Sequence, residues 1–359
     1  MKTQFFGFFT PWIAYGAITL LHCILPGKRI RGYVKHSQTG ETLCYRLNGI
    51  FVLAAGIALW FLLGKLNLVP FDWLYRARWY SLAGAAVLGL LFSLCIVLPW
   101  PSTGKPLFAD LWFGRLENPQ YKNGWIDAKM WLYLTGAVML QLNVLSFTVH
   151  HYRTYEDFNP GVLLGAAMLT FFVWDYLSFE RVHLYTYDFI AERVGIKLGF
   201  GCLAFYPYFY AVALWATVGL PNPHLPFWRG LCAALLFLGG WSLARGANMQ
   251  KYYFKTRGEK SFLGIRPAVI TDGTRALLVN GFWGASRHIN YLGEIVMGCA
   301  IALSAGYPAV WQVWLYPLYY VALLFPRQID DARICKAKYG ELWDAYTKKV
   351  KYRIIPGIY

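Results

Sequence analysis

The chain has 359 residues, of which 57% are hydrophobic and only 14% charged, and its net charge is +16. Soluble domains carry about a quarter charged residues, so this composition excludes a soluble globular protein and points to a polytopic integral membrane protein. Its basic residues lie in short loops between apolar stretches, which excludes a nucleic-acid-binding module, and its 7 scattered cysteines show no CxxC spacing for a disulfide framework or zinc site.

Met1-Lys2-Thr3 leads into aromatic-rich apolar sequence without a small-residue cleavage site, so the first stretch reads as a retained anchor. A spanning helix needs roughly 20 mostly apolar residues. Such stretches cover 8–26, 49–68, 81–100, 130–149, 161–179, 198–220 and 226–244, with a shorter pair near 293–306 and 308–325. The expected fold is all-α, a polytopic helical bundle of about nine to ten transmembrane helices forming a single domain over 1–359. Within it, 1–244 is mainly transmembrane and 245–359 is the more polar C-terminal part. Basic residues collect in alternate loops: Lys28, Arg29, Arg31, Lys35 and Arg46; then Lys105, Arg115, Lys122 and Lys129; then Arg181, Arg193 and Lys197; and finally 245–290. The intervening loops are poor in Lys and Arg, which predicts that the basic loops and the C-terminus face the cytoplasm.

Four groups of residues could carry chemistry. In chain order, the first is Trp174-Asp175-Tyr176 with Glu180 and Tyr185-Thr186-Tyr187-Asp188. A carboxyl kept neutral by an apolar pocket can donate a proton at neutral pH; the alternative is a helix-end carboxylate paired with Arg181 or Arg193. The second is Lys251 and Lys255, which project from one helix face at i, i+4 and could bind phosphate as point charges. They also suit the basic flank of a span. Third, Arg287 and His288 stand between apolar stretches beside Trp283 and Tyr291, and ionisable residues in such a setting mark functional sites. Fourth, a helix over 327–346 would set Arg327, Asp331, Cys335, Tyr339 and Tyr346 at about 0°, 40°, 80°, 120° and 100°. That stripe could grip a polar ligand, or it could be the solvated face of an amphipathic helix.

Other signals carry less. Gly199-Phe200-Gly201-Cys202-Leu203-Ala204 spells a dinucleotide fingerprint but opens an apolar span without a preceding strand. His150-His151 lack further histidine boxes, so no metal is expected.

Taken together, these residues resemble the sterol carbon–carbon double-bond reductase family, which includes the Δ14-, Δ7- and Δ24(28)-sterol reductases and the reductase domain of the lamin B receptor. The resemblance begins at Leu25-Pro26-Gly27 and Leu43-Cys44-Tyr45-Arg46-Leu47-Asn48-Gly49. It continues through Asn118-Pro119, Asp127, Lys129, Asp175, Glu180 and Asp188. It is strongest at Ala247-Asn248-Met249-Gln250-Lys251, at 281–294 and at 335–359. It implies NADPH bound at the cytoplasmic side of the C-terminal helices, within 245–359. The matching positions are Lys251, Lys255, Leu278, Trp283, Asn290, Tyr291, Asp331, Cys335, Lys336, Ala337, Lys338, Tyr339 and Tyr346. Arg287, His288 and Arg327 join them as candidate cofactor contacts. Departures from the family pattern are Gln120 for an arginine, Leu132 to Gly136 for an Arg-Pro-Gly element, and Asp330 for the arginine before Asp331.

The activity implied is reduction of a sterol double bond by proton and hydride, with Asp175, Glu180, Asp331 and Tyr346 as candidate catalytic residues and the sterol entering sideways from membrane lipid. The membrane would be the endoplasmic reticulum in a eukaryote or the inner membrane in a bacterium. One alternative is an isoprenylcysteine-type methyltransferase using S-adenosylmethionine, which the chain resembles at Arg287-His288 through Tyr291-Leu292-Gly293, with Ile289 where those enzymes have proline. Another is a non-catalytic sterol-binding membrane protein.

Overall fold

The computed structural model describes residues 2–36, 39–258 and 260–359. The chain forms two compact units, Met1–His224 and Leu225–Tyr359.

In the first unit, α1 (Lys2–Ile24) is followed by a hairpin of β1 (Lys28–Lys35) and β2 (Thr42–Leu47), paired antiparallel with Ile30 opposite Tyr45. Next come α2 (Gly49–Lys65), α3 (Trp73–Arg76), α4 (Arg78–Val97) and α5 (Leu107–Phe113). A second small hairpin, β3 (Gln120–Tyr121) with β4 (Ile126–Asp127), leads into α6 (Ala128–Tyr155). Asp127 starts α6 by accepting a hydrogen bond from Met130 N at 3.0 Å. α6 is the most buried helix of this unit and packs against α1, α2, α3 and α7 (Pro160–Ser178). Asn159 caps α7, accepting from Gly161 N and Val162 N ahead of the pre-set φ of Pro160. α1 and α4 approach backbone to backbone: Trp12 Nε1 donates to Gly84 O at 3.0 Å, and a Cβ on Gly84 would overlap the Phe8 carbonyl.

The expected span at 198–220 is a run of short pieces instead. After α8 (Glu180–His183) and α9 (Tyr187–Ile190) come α10 (Ile196–Phe200), a π turn (Gly201–Phe205), α11 (Tyr206–Phe209) and α12 (Val212–Thr217). Pro207 has no N–H to donate to the carbonyl of Leu203 one turn earlier, and that carbonyl accepts from the Tyr15 hydroxyl instead, while Asn143 Nδ2 donates to Pro207 O at 2.8 Å.

The second unit is built on α13 (Phe227–Arg257), which carries the expected span at 226–244 onward through Lys251 and Lys255. A hairpin of β5 (Val269–Thr271) and β6 (Ala276–Leu278) turns at Asp272, whose carboxylate accepts from the amides of Thr274 and Arg275. α14 (Phe282–Ala285), α15 (Ile289–Ser304), a 3₁₀ turn (Trp311–Trp314), α16 (Leu315–Tyr339) and α17 (Glu341–Lys349) complete it. α13 and α15 meet through glycines: a Cβ on Gly293 would lie 2.5 Å from both Ala244 N and Gly240 O.

Among the described residues the fold is mostly helical with three two-stranded hairpins. Among the described residues, 5 helices are long and apolar enough to cross a membrane: Thr3–Ile24, Arg78–Val97, Ala128–Tyr155, Pro160–Ser178 and Phe227–Arg257. Gly49–Lys65 and Ile289–Ser304 are shorter apolar helices, where spans were also expected.

Candidate functional site

In the second unit, several of the polar residues singled out in the sequence come together where the C-terminal part of α13, the start of α15 and the C-terminal half of α16 meet. Trp283 is fixed by its indole N–H donating to Ala247 O at 2.8 Å, one turn before Lys251 on α13. Lys251 Nζ lies 5.7 Å from the Trp283 ring centroid. Lys255, one turn further, is exposed. His288, buried at the start of α15, stacks on Tyr291 with centroids 4.9 Å apart and its Nδ1 3.8 Å from Asp331 Oδ2. Burial drives the His288 imidazole down to about 3, and the cations Arg287, Lys251 and Arg353 push the same way. His288 is therefore neutral at physiological pH, and its approach to Asp331 is not an ion pair.

Asp331 is held above the usual carboxylate range by burial, with Lys251 and Arg327 opposing the shift and Asp330 adding to it. Burial pushes the Cys335 thiol up to about 12, helped by Asp331. The Tyr346 phenol is likewise raised by burial, against the pull of Arg287. Thiol and phenol stay protonated, so this interior presents neutral donors beside a cationic margin. Asn290 is part of it: its Oδ1 is buried without a hydrogen-bond partner among the described residues.

The expected single helix over 327–346 does not form. α16 stops at Tyr339 because Gly340 adopts φ 57° and ψ −126°, a conformation open to glycine alone, and Tyr346 belongs to α17. Tyr346 still reaches the cluster, because α17 folds back so that Trp343, Tyr346 and Val350 pack with Val279, Cys335 and Tyr339. The other residues of the predicted set are spread around this cluster. Leu278 is buried and lines a small open recess with Gln250, Tyr253 and Phe254. Lys336, Ala337 and Lys338 are exposed; Lys336 pairs with Asp344 of α17, and the Lys338 carbonyl accepts from Arg275. Tyr339 lies 5.8 Å under the Arg275 guanidinium.

Two residues that lie in the sequence motifs but were not among the predicted site residues also shape the site. Gln250 is buried and bridges α13 to α14, accepting from Phe282 N at 3.0 Å and donating to Asn280 O at 3.3 Å. Ser286 is fully buried and donates to Ile354 O at 2.9 Å. The signal available for Gln250 was its place in the motif Ala247-Asn248-Met249-Gln250-Lys251.

The first unit holds the other two candidate acids. Asp175 is buried on α7. Glu180 is buried at the start of α8, where its Oε2 accepts from Gly49 N at 3.0 Å. Burial outweighs that bond and raises the Glu180 carboxyl to about 7. Among the described residues, no three His, Cys, Asp or Glu side chains are grouped to hold a metal ion.

Comparison with known proteins covers both units. The family described as "Ergosterol biosynthesis ERG4/ERG24 family" matches residues 1–359. The chain is 31% identical to the Delta(14)-sterol reductase of Arabidopsis thaliana, over 94% of this chain and 91% of that protein. It is 30% identical to the Delta(14)-sterol reductase of Methylotuvimicrobium alcaliphilum, over 93% and 79%. It is 39% identical to the Delta(14)-sterol reductase TM7SF2 of Mus musculus, over 73% and 62%.

Proposed function

The chain belongs to the ergosterol biosynthesis ERG4/ERG24 family of sterol-reducing membrane oxidoreductases, and from that premise we propose that it is an NADPH-dependent reductase of a sterol carbon–carbon double bond. Among the Δ14, Δ7 and Δ24 bonds, the names of its relatives favour Δ14. The observation that carries the cofactor reading is the convergence in the second unit of a cationic margin with a buried, neutral interior. Lys251 and Lys255 suit phosphates as point charges. The orphaned Asn290 Oδ1 suits an amide N–H donor such as a carboxamide. Trp283, His288 and Tyr291 offer flat surfaces for a planar ring.

When bound, NADPH supplies hydride. The chain must supply the proton from an acid that is neutral in apolar surroundings, since protonating one alkene carbon leaves the positive charge on the other. Glu180 meets that requirement near pH 7, and Asp331, with its raised pKa, is the corresponding acid of the second unit. Asp175 and Tyr346 are the remaining candidates, and Tyr346 holds its proton throughout the physiological range. Neutral His288 beside Asp331 adds no cation to the interior, so it does not oppose charge developing on the substrate. The sterol reaches the site from the lipid phase, and the basic loops and C-terminus face the cytoplasm.

The test is turnover by purified protein in lipid nanodiscs with NADPH and Δ14, Δ7 or Δ24 sterols. Consumption of NADPH with formation of a saturated product is expected, most readily for Δ14. Absence of product from all three overturns the reading. S-adenosylmethionine serves as the competing ligand: NADPH, at a concentration near 100 Kd, should stabilise the fold by about 2.7 kcal/mol, whereas S-adenosylmethionine should not shift its melting temperature.

A further inference from the structure

The cofactor reading leaves residues 351–359 without a role, yet the structure ties them down at two places. At one, Arg287 N donates to Tyr352 O at 3.0 Å and His288 N to Arg353 O at 2.8 Å. The buried Ser286 hydroxyl extends this pairing to the carbonyl of Ile354, which is itself fully buried. At the other, the segment folds on itself: the amides of Arg353, Ile354 and Ile355 donate to Tyr359 O at 2.7, 3.0 and 3.1 Å. The Tyr359 ring stacks on Phe325 of α16 at 5.3 Å, and its hydroxyl accepts from Gln328 Nε2 at 3.1 Å and Arg353 Nη1 at 3.2 Å. Gln328 is buried one turn before Asp331, so it and Asp331 are neighbours on α16.

One end of this segment thus holds the backbone of His288, and the other holds α16 a turn away from Asp331. Within 351–359, Ile354 alone is buried to offset the conformational entropy that ordering a short irregular segment costs. Its shape is closed instead by the bonds gathered at Tyr359. We propose that residues 351–359 are a strap that sets the position of His288 against Asp331, and that Tyr359 is a positioning residue for the cofactor site. The strap itself follows from the geometry, whereas its effect on NADPH rests on the cofactor reading above.

The full-length variants Tyr359→Phe, which keeps the ring stack, and Tyr359→Ala, which loses stack and hydroxyl, separate the contributions. Amide hydrogen exchange reads the strap directly. Exchange at Arg287 and His288 should accelerate roughly tenfold in Tyr359→Ala, and less in Tyr359→Phe, because local opening is governed by the bonds that close the segment. The Kd for NADPH should rise about tenfold in Tyr359→Ala, a larger change than the fall in kcat at saturating NADPH, since bound cofactor restores most of the site's geometry before the chemical step. Unchanged exchange at Arg287 and His288 overturns the strap, as does faster exchange spread evenly over the whole second unit. Faster exchange confined to those amides with an unchanged Kd overturns the positioning role. Should Tyr359→Ala fail to fold, the same comparisons are read from Tyr359→Phe. Failure of the unmutated protein to bind NADPH refutes the cofactor reading and with it the positioning role; the exchange result decides the strap regardless.

Discussion

Glu180 shows how a single carboxyl can be tuned. The Gly49 amide favours its ionised form, but burial wins, so its carboxyl loses its proton at about 7 and not at 4.5. Because the folded value is the raised one, the stability linked to this group is full below pH 4.5 and is lost as pH climbs through about 7. At about 1.4 kcal/mol per unit, the loss at pH 8 is up to roughly 3 kcal/mol. Glu180→Gln keeps an oxygen for Gly49 N and cannot ionise. It should therefore melt higher than the unmutated protein at pH 8 and at an equal temperature at pH 4, which thermal unfolding across pH would check. If Glu180 is the proton donor, reductase activity falls as pH rises through 7 and Glu180→Gln removes both the activity and that limb of the profile. Lys251 makes a different prediction. Lys251→Met should raise the KM for NADPH by about tenfold, with a weaker dependence on salt than in the unmutated enzyme, because a phosphate-binding point charge is lost. At this scale the sequence was informative wherever a chemical group stands out from an apolar background, as Lys251, His288 and Asp331 do. It was silent about Ser286, whose partner is the distant main-chain carbonyl of Ile354, and about Tyr359, which meets the Phe325 and Gln328 side chains of α16.

At the scale of elements, hydropathy located the 5 described helices that are long and apolar enough to cross a membrane, but not the places where other expected spans shorten or break. Periodicity put Arg327 to Tyr346 on one stripe, yet Gly340 ends α16 and α17 brings Tyr346 back by folding, so the right neighbours were named through the wrong geometry. A glycine in a helical pattern is ambiguous, because its φ is decided by whether the following turn can pack. Here α17 packs Leu342, Trp343 and Tyr346 inward, and that burial fixes the break. Gly340→Ala leaves the space around the Cβ open but places an L-residue at φ 57°, ψ −126°. The expected cost is roughly 1–3 kcal/mol, read as a lower melting temperature with weaker NADPH binding as α17 loosens. Gly293→Val tests the opposite case. Its backbone is ordinary helix, but the added carbon meets Ala244 N and Gly240 O at 2.5 Å, both of them main chain that cannot turn aside. Forcing α13 and α15 apart should cost about 1–3 kcal/mol or more and should shift Lys251 relative to His288, so KM for NADPH rises even in the fraction that folds.

For the molecule as a whole, the remaining prediction is orientation, and the first unit gives it a physical basis. Its three basic loops are joined at one end of the bundle. Arg29 in the first hairpin donates to Asn123 O at 2.5 Å, Gln120 Nε2 donates to Cys44 O at 3.0 Å, and Val194 N donates to Leu116 O at 2.9 Å. The loops that follow α2, α6 and α12 meet at the other end. There Arg153 and Arg76 both pair with the buried Asp72, Tyr155 donates to Gly219 O, and Asn222 donates to Phe158 O. We propose that these joined basic loops mark the cytoplasmic end of the first unit, because loops rich in Lys and Arg are retained on that side. In a cysteine-free background, Thr39→Cys in the exposed first hairpin should react with a membrane-impermeant maleimide only after the membrane is opened. His224→Cys, exposed at the other end, should react in intact cells or sealed, correctly oriented vesicles. The reverse pattern would show that the basic end faces away from the cytoplasm, and with it that the alternating loops do not set the orientation of this chain.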